Sequence, residues 1–284
     1  MAMGGSWTAS DVAGLLRRPT AGDDKYSRGV LGIRTGSAEY PGAAVLGVEA
    51  AWRTGIGMVR YVGTAREAVL QRRPETVANS GRVQAWLIGS GMDAASRAAD
   101  ETHALRDILS GVVPVVVDAG ALDLVSGAAV PLVVTPHDRE HTRLRVSVGL
   151  GMAPGSDAEP NARAAAAVET AATLGASVLL KGSTTVVAAP SGSLRFVDAG
   201  TAWLATAGTG DVLGGVIGAL VAAASAIERP DAESLADLAA AGAWLHGRAE
   251  PSRGDPGGPA GGPITALDVA ETLPSVVAEV LAEH

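Results

Sequence analysis

Two short runs, Val115-Val116-Val117 and Leu132-Val133-Val134, are apolar at every position and mostly β-branched. A strand with one wet face alternates polar and apolar residues, whereas a strand that never alternates is covered on both faces. Runs of this kind belong to a parallel sheet between two layers of helices. The rest of the chain repeats the pattern. Residues 29–33, 58–62, 85–88, 112–118, 131–135 and 177–180 read as strands, with apolar helical stretches such as 41–52 and 161–174 among them. Residues 184–189 and 194–197 flank Pro190-Ser191-Gly192, which predicts a hairpin turn and antiparallel strands added to the sheet. The expected fold is therefore α/β: a three-layer sandwich with a mostly parallel central sheet, helices on both faces and one antiparallel hairpin.

Composition bounds the function classes. Apolar residues make up 47% of 284 and the mean hydropathy is +0.24, so a large core is available. Aromatics are only 3%, so Ala, Val and Leu must build it. A net charge of -8 and the lack of any basic run with interleaved aromatics argue against nucleic acid or an anionic membrane as main partner. With no cysteine, disulfides and thiolate chemistry are out. His137 and His141 are four apart, but Thr135-Pro136 before them and Asp-Arg-Glu between them suit a loop entering a helix better than a metal pair. No signal-peptide pattern precedes Arg17-Arg18, and the uncharged run 212–227 is short for a membrane span. A soluble cytoplasmic protein is expected, with one domain over 1–284 and 1–20 as an N-terminal extension. Residues 250–263, rich in Gly and Pro, are expected to form a mobile loop. Thr265 and Asp268 fit a capping box opening a last helix over 267–281.

The segment Ala205-Thr206-Ala207-Gly208-Thr209-Gly210-Asp211-Val212-Leu213 carries the chemistry. It sets two glycines and a carboxylate at the start of the uncharged run 212–227, which reads as a buried helix. Glycines allow a tight turn and close approach to a ligand, and a helix N-terminus offers unpaired amides to an anion. Asp211 in that first turn is equally a good structural cap. Other candidates gather where strands end, the edge at which parallel α/β sheets place their sites: Gly89-Ser90-Gly91, Asp118, Thr135-Pro136-His137 and Lys181-Gly182-Ser183-Thr184. Taken singly, each has a structural explanation: a connecting turn, a cap at His137, a solvated charge at Lys181, a loop brace at Asp118. Together they point to a phosphoryl-transfer site.

Nearly the whole chain, about 24–281, resembles the C-terminal domain of the bifunctional NAD(P)HX repair proteins, the ADP- or ATP-dependent NAD(P)H-hydrate dehydratase of the ribokinase-like superfamily. The resemblance rests on Gly-Ser-Ala-Glu-Tyr-Pro-Gly-Ala-Ala (36–44), Thr-Pro-His (135–137), Lys-Gly-Ser-Thr-Thr (181–185), Ala-Thr-Ala-Gly-Thr-Gly-Asp-Val-Leu-Gly-Gly (205–215) and Ile-Thr-Ala (264–266). Three places depart from the family pattern: Ser90 stands where Pro is usual, Gly120 where Asp is usual, and Asp138-Arg139 where Pro-Gly is usual. The resemblance implies a hydro-lyase that phosphorylates the hydroxyl of (6S)-NADHX or NADPHX and eliminates phosphate. It implies ADP or ATP as co-substrate, Mg²⁺ on the nucleotide phosphates and no metal ligand assigned to the protein. Asp211 is the implied general base. Ala43, Gly91, His137 and Asp211 match positions holding the hydrate, while Lys181, Gly182, Ser183, Thr184, Thr185 and Gly210 match the nucleotide site. Gly208, Thr209 and Gly210 would form the anion hole. A separate NAD(P)HX epimerase is the implied pathway partner, since no epimerase domain is seen in the sequence, and a homo-oligomer is expected. A ribokinase-like kinase of a vitamin-precursor alcohol would use the same centre, and a silent nucleotide-binding regulatory module is a further alternative.

Overall fold

The computed structural model describes residues 6–155, 158–198, 200–249 and 262–283. Most of the loop expected over 250–263 lies outside them. Eight strands form one sheet in the order β2-β1-β3-β4-β5-β6-β7-β8. They are β1 (Val30–Arg34), β2 (Met58–Tyr61), β3 (Ala85–Ile88), β4 (Val115–Val117), β5 (Leu132–Val134), β6 (Ser177–Leu180), β7 (Thr184–Ala188) and β8 (Leu194–Asp198). Neighbours through β6 pair in parallel, whereas β7 and β8 pair antiparallel around the Pro190–Gly192 turn. The mostly parallel sheet and its hairpin are as expected. One strand is shorter than its apolar run suggests: β4 starts at Val115, because Val112 is solvent-exposed in the preceding turn.

The helices are α1 (Ala9–Ala13), α2 (Pro41–Thr54), α3 (Arg66–Arg72), α4 (Ala99–Leu109), α5 (Asp138–Ser147), α6 (Pro160–Leu174), α7 (Thr209–Ser225), α8 (Ala232–Arg248) and α9 (Ala266–Ala282). Alternate strand residues feed two separate cores. Leu31, Ile33, Leu87, Val116, Val133 and Leu179 meet α2, α7, α8 and α9 on one face. Ile88, Val115, Val117, Leu132, Val134 and Leu180 meet α4 and α6 on the other. Burial on both faces explains why these strands carry no polar alternation. The capping box at Thr265 and Asp268 is formed, with Asp268 Oδ2 accepting from the Thr265 amide at 2.7 Å.

Helix α7 begins at Thr209, three residues earlier than its uncharged run suggests, so Gly210 lies inside the first turn and only Gly208 makes the bend. Gly208 caps the helix at φ 90°, a left-handed conformation that other residues adopt at a cost. Further along, Gly215 lets α7 lie directly on α2: a methyl there would run into the Gly47 carbonyl and stand 2.9 Å from Ala50 Cβ. Gly215→Ala gains about 1 kcal/mol in helix propensity but forces two buried helices apart. The overpacking should win, lowering unfolding free energy by about 1–2 kcal/mol in urea titration.

All six parallel strands deliver their carboxyl ends to one edge, where α7 also starts. The order reverses between β1 and β3, the kind of switch point at which open α/β sheets form ligand crevices. A cleft of about 730 Å³ lies beside it, lined in part by Tyr40, Gly91, Met92, Gly120, Glu140 and Arg143.

Candidate active site

Two aspartates meet at this edge in opposite environments. Asp118 ends β4 and is buried. Its Oδ1 accepts from Thr135 Oγ1 at 2.8 Å and Lys181 Nζ at 2.9 Å, and its Oδ2 from Ser90 Oγ at 2.9 Å. Burial pushes its pKa up, but the Lys181 ammonium and the two hydroxyls outweigh that and hold the carboxyl below its ordinary value. Asp211, in the first turn of α7, has no hydrogen-bond donor among the described residues. Burial and then the nearby Asp118 charge raise its pKa to about 7, only partly countered by Lys181. Two carboxyls pushed apart in this way separate a structural anion from a proton acceptor.

Lys181 ties the pair together. Its ammonium lies 2.9 Å from Asp118 and 3.8 Å from Glu140 Oε2, and a methyl on Gly210 would stand 3.7 Å from it. It is not the solvated strand-end charge of the simpler explanation. The α7 N-terminus is held from below by His246 of α8, whose buried Nε2 lies 2.9 Å from the Thr209 carbonyl. Burial lowers the His246 pKa to about 4, so the ring is neutral and donates from Nε2. Among the described residues the Gly208 and Gly210 amides meet no protein acceptor. The Thr209 and Asp211 amides make turn bonds to Thr206 and Gly208. Among the described residues the amides left open in this turn are therefore those of Gly208 and Gly210, not that of Thr209.

His137 does act as a cap. Its Nδ1 accepts from the Arg139 and Glu140 amides at 3.1 and 3.3 Å, and the Glu140 carboxylate accepts the His137 amide at 2.9 Å. The ring remains half exposed, so capping leaves one side available to a ligand. His141, by contrast, is buried against Thr170 at 2.9 Å and takes no part at the edge. Ala43 is buried against Gly91, which lines the cleft. Gly182 and Ser183 are exposed in the turn after β6, Thr184 is exposed at the start of β7, and Thr185 is buried within β7, paired with Val197. The fold thus gathers Asp211, Gly210 and Lys181 at one point and places Gly91 in the adjoining cleft. Glu140 links the two, lining the cleft while facing Lys181.

Three contributors escape sequence reasoning. His246 and Arg163 act through partners distant in the chain, and no spacing marks them; Glu140 stands three residues after His137, a capping spacing, but its approach to Lys181 is not legible from that. The departures from the family pattern also find local reasons. The Ser90 hydroxyl donates to Asp118, Gly120 packs against the Met92 backbone, and Asp138 receives Arg163 at 2.9 Å. The Arg139 amide joins the His137 cap.

The family model described as NAD(P)H-hydrate dehydratase matches residues 31–255. The chain belongs to this family. A bifunctional NAD(P)H-hydrate repair enzyme of Mycobacterium tuberculosis is 46% identical over 226 residues, 75% of this chain and 45% of that protein. The chain thus spans about half the length of such bifunctional relatives. An ADP-dependent (S)-NAD(P)H-hydrate dehydratase of Neisseria meningitidis is 37% identical over 79% of this chain and 77% of its own length. Among solved structures, an ADP/ATP-dependent NAD(P)H-hydrate dehydratase of Bacillus subtilis, co-crystallized with ATP/Mg²⁺, superposes with a TM-score of 0.81. It is 26% identical, covering 99% of this chain and 100% of that one. The architecture of this dehydratase-family chain is the ribokinase-like sandwich.

Proposed function

We propose that the chain dehydrates (6S)-NADHX and NADPHX to NADH and NADPH at the expense of ADP or ATP. The observation that carries this reading is Asp211: a carboxyl with a pKa of about 7 and, among the described residues, no donor, set beside the open Gly208 and Gly210 amides. The substrate carries a hydroxyl beside the ring nitrogen, and hydroxide is a poor leaving group. Asp211 takes the hydroxyl proton as the oxygen attacks the terminal phosphoryl group, releasing AMP or ADP. The Gly208 and Gly210 amides and the Lys181 ammonium stabilise charge on the phosphoryl in transit. The ring nitrogen lone pair then expels phosphate, and loss of a proton from the neighbouring carbon restores the double bond.

Magnesium, brought in with the nucleotide, would neutralise phosphate charge. Among the described residues no three His, Asp or Glu stand together as a metal set, and Asp118 is already occupied by three donors. This fits an ion carried on phosphates and water, with one or two protein carboxylates at most.

The Lys181–Thr185 segment would hold the adenine nucleotide, and Ala43, Gly91 and His137 the hydrate. A kinase releasing its phosphorylated product would share this centre, and a silent module would have no use for an unpaired Asp211; family membership favours the dehydratase. Residues 1–284 would act as one domain with 1–20 as an extension, in the cytoplasm, alongside an NAD(P)HX epimerase and as a homo-oligomer. Among the described residues no helix is long and apolar enough to cross a membrane.

His137→Ala should raise the KM for the hydrate more than that for the nucleotide, and lower stability by roughly 1 kcal/mol through loss of its cap. Equal changes in both KM values would overturn this division. Regeneration of reduced nicotinamide absorbance from NADHX with ADP or ATP tests the reaction itself.

A further inference from the structure

Arg163 stands in α6, a helix built largely of alanine, and its guanidinium is buried rather than solvated. It bonds to two segments far from it in sequence. Nε and Nη2 donate to Asp138 Oδ1 at 3.3 and 2.9 Å. Nη2 also donates to the Lys181 carbonyl at 3.1 Å, and Nη1 to the Thr184 carbonyl at 3.4 Å. Asp138 opens α5 one residue after His137, while Lys181 and Thr184 bound the turn assigned above to the nucleotide. The guanidinium also lies against the middle of that turn, where a methyl on Gly182 would come within 2.7 Å of Nη2.

The ends of this turn are tied elsewhere too: the Lys181 amide donates to the Pro136 carbonyl at 3.0 Å, its ammonium to Asp118, and Thr184 enters β7 opposite Asp198. Its middle is not: Gly182 and Ser183 are exposed, and among the described residues Arg163 is the side chain packed against Gly182. The tie to Pro136, too, leads to the His137 segment. The bonds leave from three separate nitrogens of a planar fork, so the single ammonium of lysine would keep only part of the set.

We propose that Arg163 is a positioning residue for the nucleotide. It pulls both ends of the 181–184 turn inward by their carbonyls, leaving the middle of the turn facing outward. Through Asp138 it fixes the turn against the segment that carries His137. This rests on the assignment of the turn to the nucleotide and names a residue outside the segments that carry the resemblance. A turn set in its binding shape before the ligand arrives loses less freedom on binding, so affinity rises without any contact between Arg163 and the ligand.

The test uses the full chain and the variants Arg163→Met, Arg163→Lys and Asp138→Asn. ADP and ATP binding with Mg²⁺ is followed by calorimetry, with KM for nucleotide and hydrate, kcat and Tm measured alongside. Arg163→Met should weaken ADP binding about tenfold or more, the scale of ordering one or two backbone residues at the moment of binding. Its kcat at saturating nucleotide and its KM for the hydrate should stay close to wild type. Arg163→Lys should fall between, and Asp138→Asn should lose less, because the carbonyl contacts survive. A purely structural arginine would lower Tm while leaving the nucleotide Kd of the folded protein unchanged, and that result overturns the proposal. If Arg163→Met does not fold, Arg163→Lys and Asp138→Asn decide by the same criterion. Wild-type protein that neither binds nucleotide nor converts the hydrate defeats the proposed function, and this inference with it. An active wild type with unchanged Kd in the variants defeats this inference alone.

Discussion

Asp211→Asn is expected to cut turnover by about 10²–10⁴-fold, the usual contribution of a general base, while leaving the fold intact. The amide keeps the shape of the carboxylate but cannot take the hydroxyl proton. In the wild type kcat/KM should rise with pH and level off above about 7, where the Asp211 carboxyl ionises. The variant should lose this limb along with the rate. Its stability should move the other way. The folded carboxyl titrates near 7 and the unfolded one near 3.9, so the unfolded state holds fewer protons between these values. Wild-type stability therefore falls as pH rises from about 4 to 7, and does not fall further on this account above 7. Asn carries no such charge, so the variant should gain Tm relative to wild type as pH rises through that window and keep the gain at pH 8. A variant that is inactive but no more stable at pH 8 would mean that Asp211 is not the desolvated group described here.

Asp118→Asn should be the most damaging single change to the framework of the site. Removing one member of a buried ion pair leaves the other charge unpaired, at a cost of roughly 3–5 kcal/mol. Here the stranded group is the Lys181 ammonium, with Glu140 at 3.8 Å as its nearest remaining anion in an ion pair. Denaturant unfolding would show the loss as a lower midpoint at unchanged slope. Because the Asp118 charge helps to raise the Asp211 pKa, its removal should also shift the rising limb of the pH profile to lower pH. A limb that stays near 7 in a folded Asp118→Asn protein would show that burial alone sets the Asp211 pKa.

The contrast between these two aspartates is what the sequence could not state. Both sit where sequence reasoning places them, one at a strand end and one at a helix start. Sequence pattern carries the inner strands because burial on both faces leaves apolar marks, and it carries the Pro190–Gly192 hairpin, with the edge strand β8, and the Thr265 cap because turn and cap chemistry is local. It shows the start of α7 only from the uncharged run at 212, because Thr209, Gly210 and Asp211 carry no apolar side chain, although His246 holds their turn in helical form. Helix α8 has the local marks of a helix, an Asp231 cap and buried Leu235, Leu238 and Leu245, yet it is not among the stretches read from sequence. The site divides in the same way. Gly208 and Asp211 are legible as a motif, whereas Glu140 and Arg163 are surface charges on paper. Only the crossing of α5 and α6 beside the Lys181 turn makes them neighbours of one centre.

The deciding measurement mixes purified protein with NADHX, Mg²⁺ and either ADP or ATP, and follows the return of NADH absorbance together with phosphate release. The account predicts NADH recovery that requires nucleotide, matches phosphate mole for mole and all but disappears in Asp211→Asn. No recovery with either nucleotide, or equal recovery by Asp211→Asn, would contradict it.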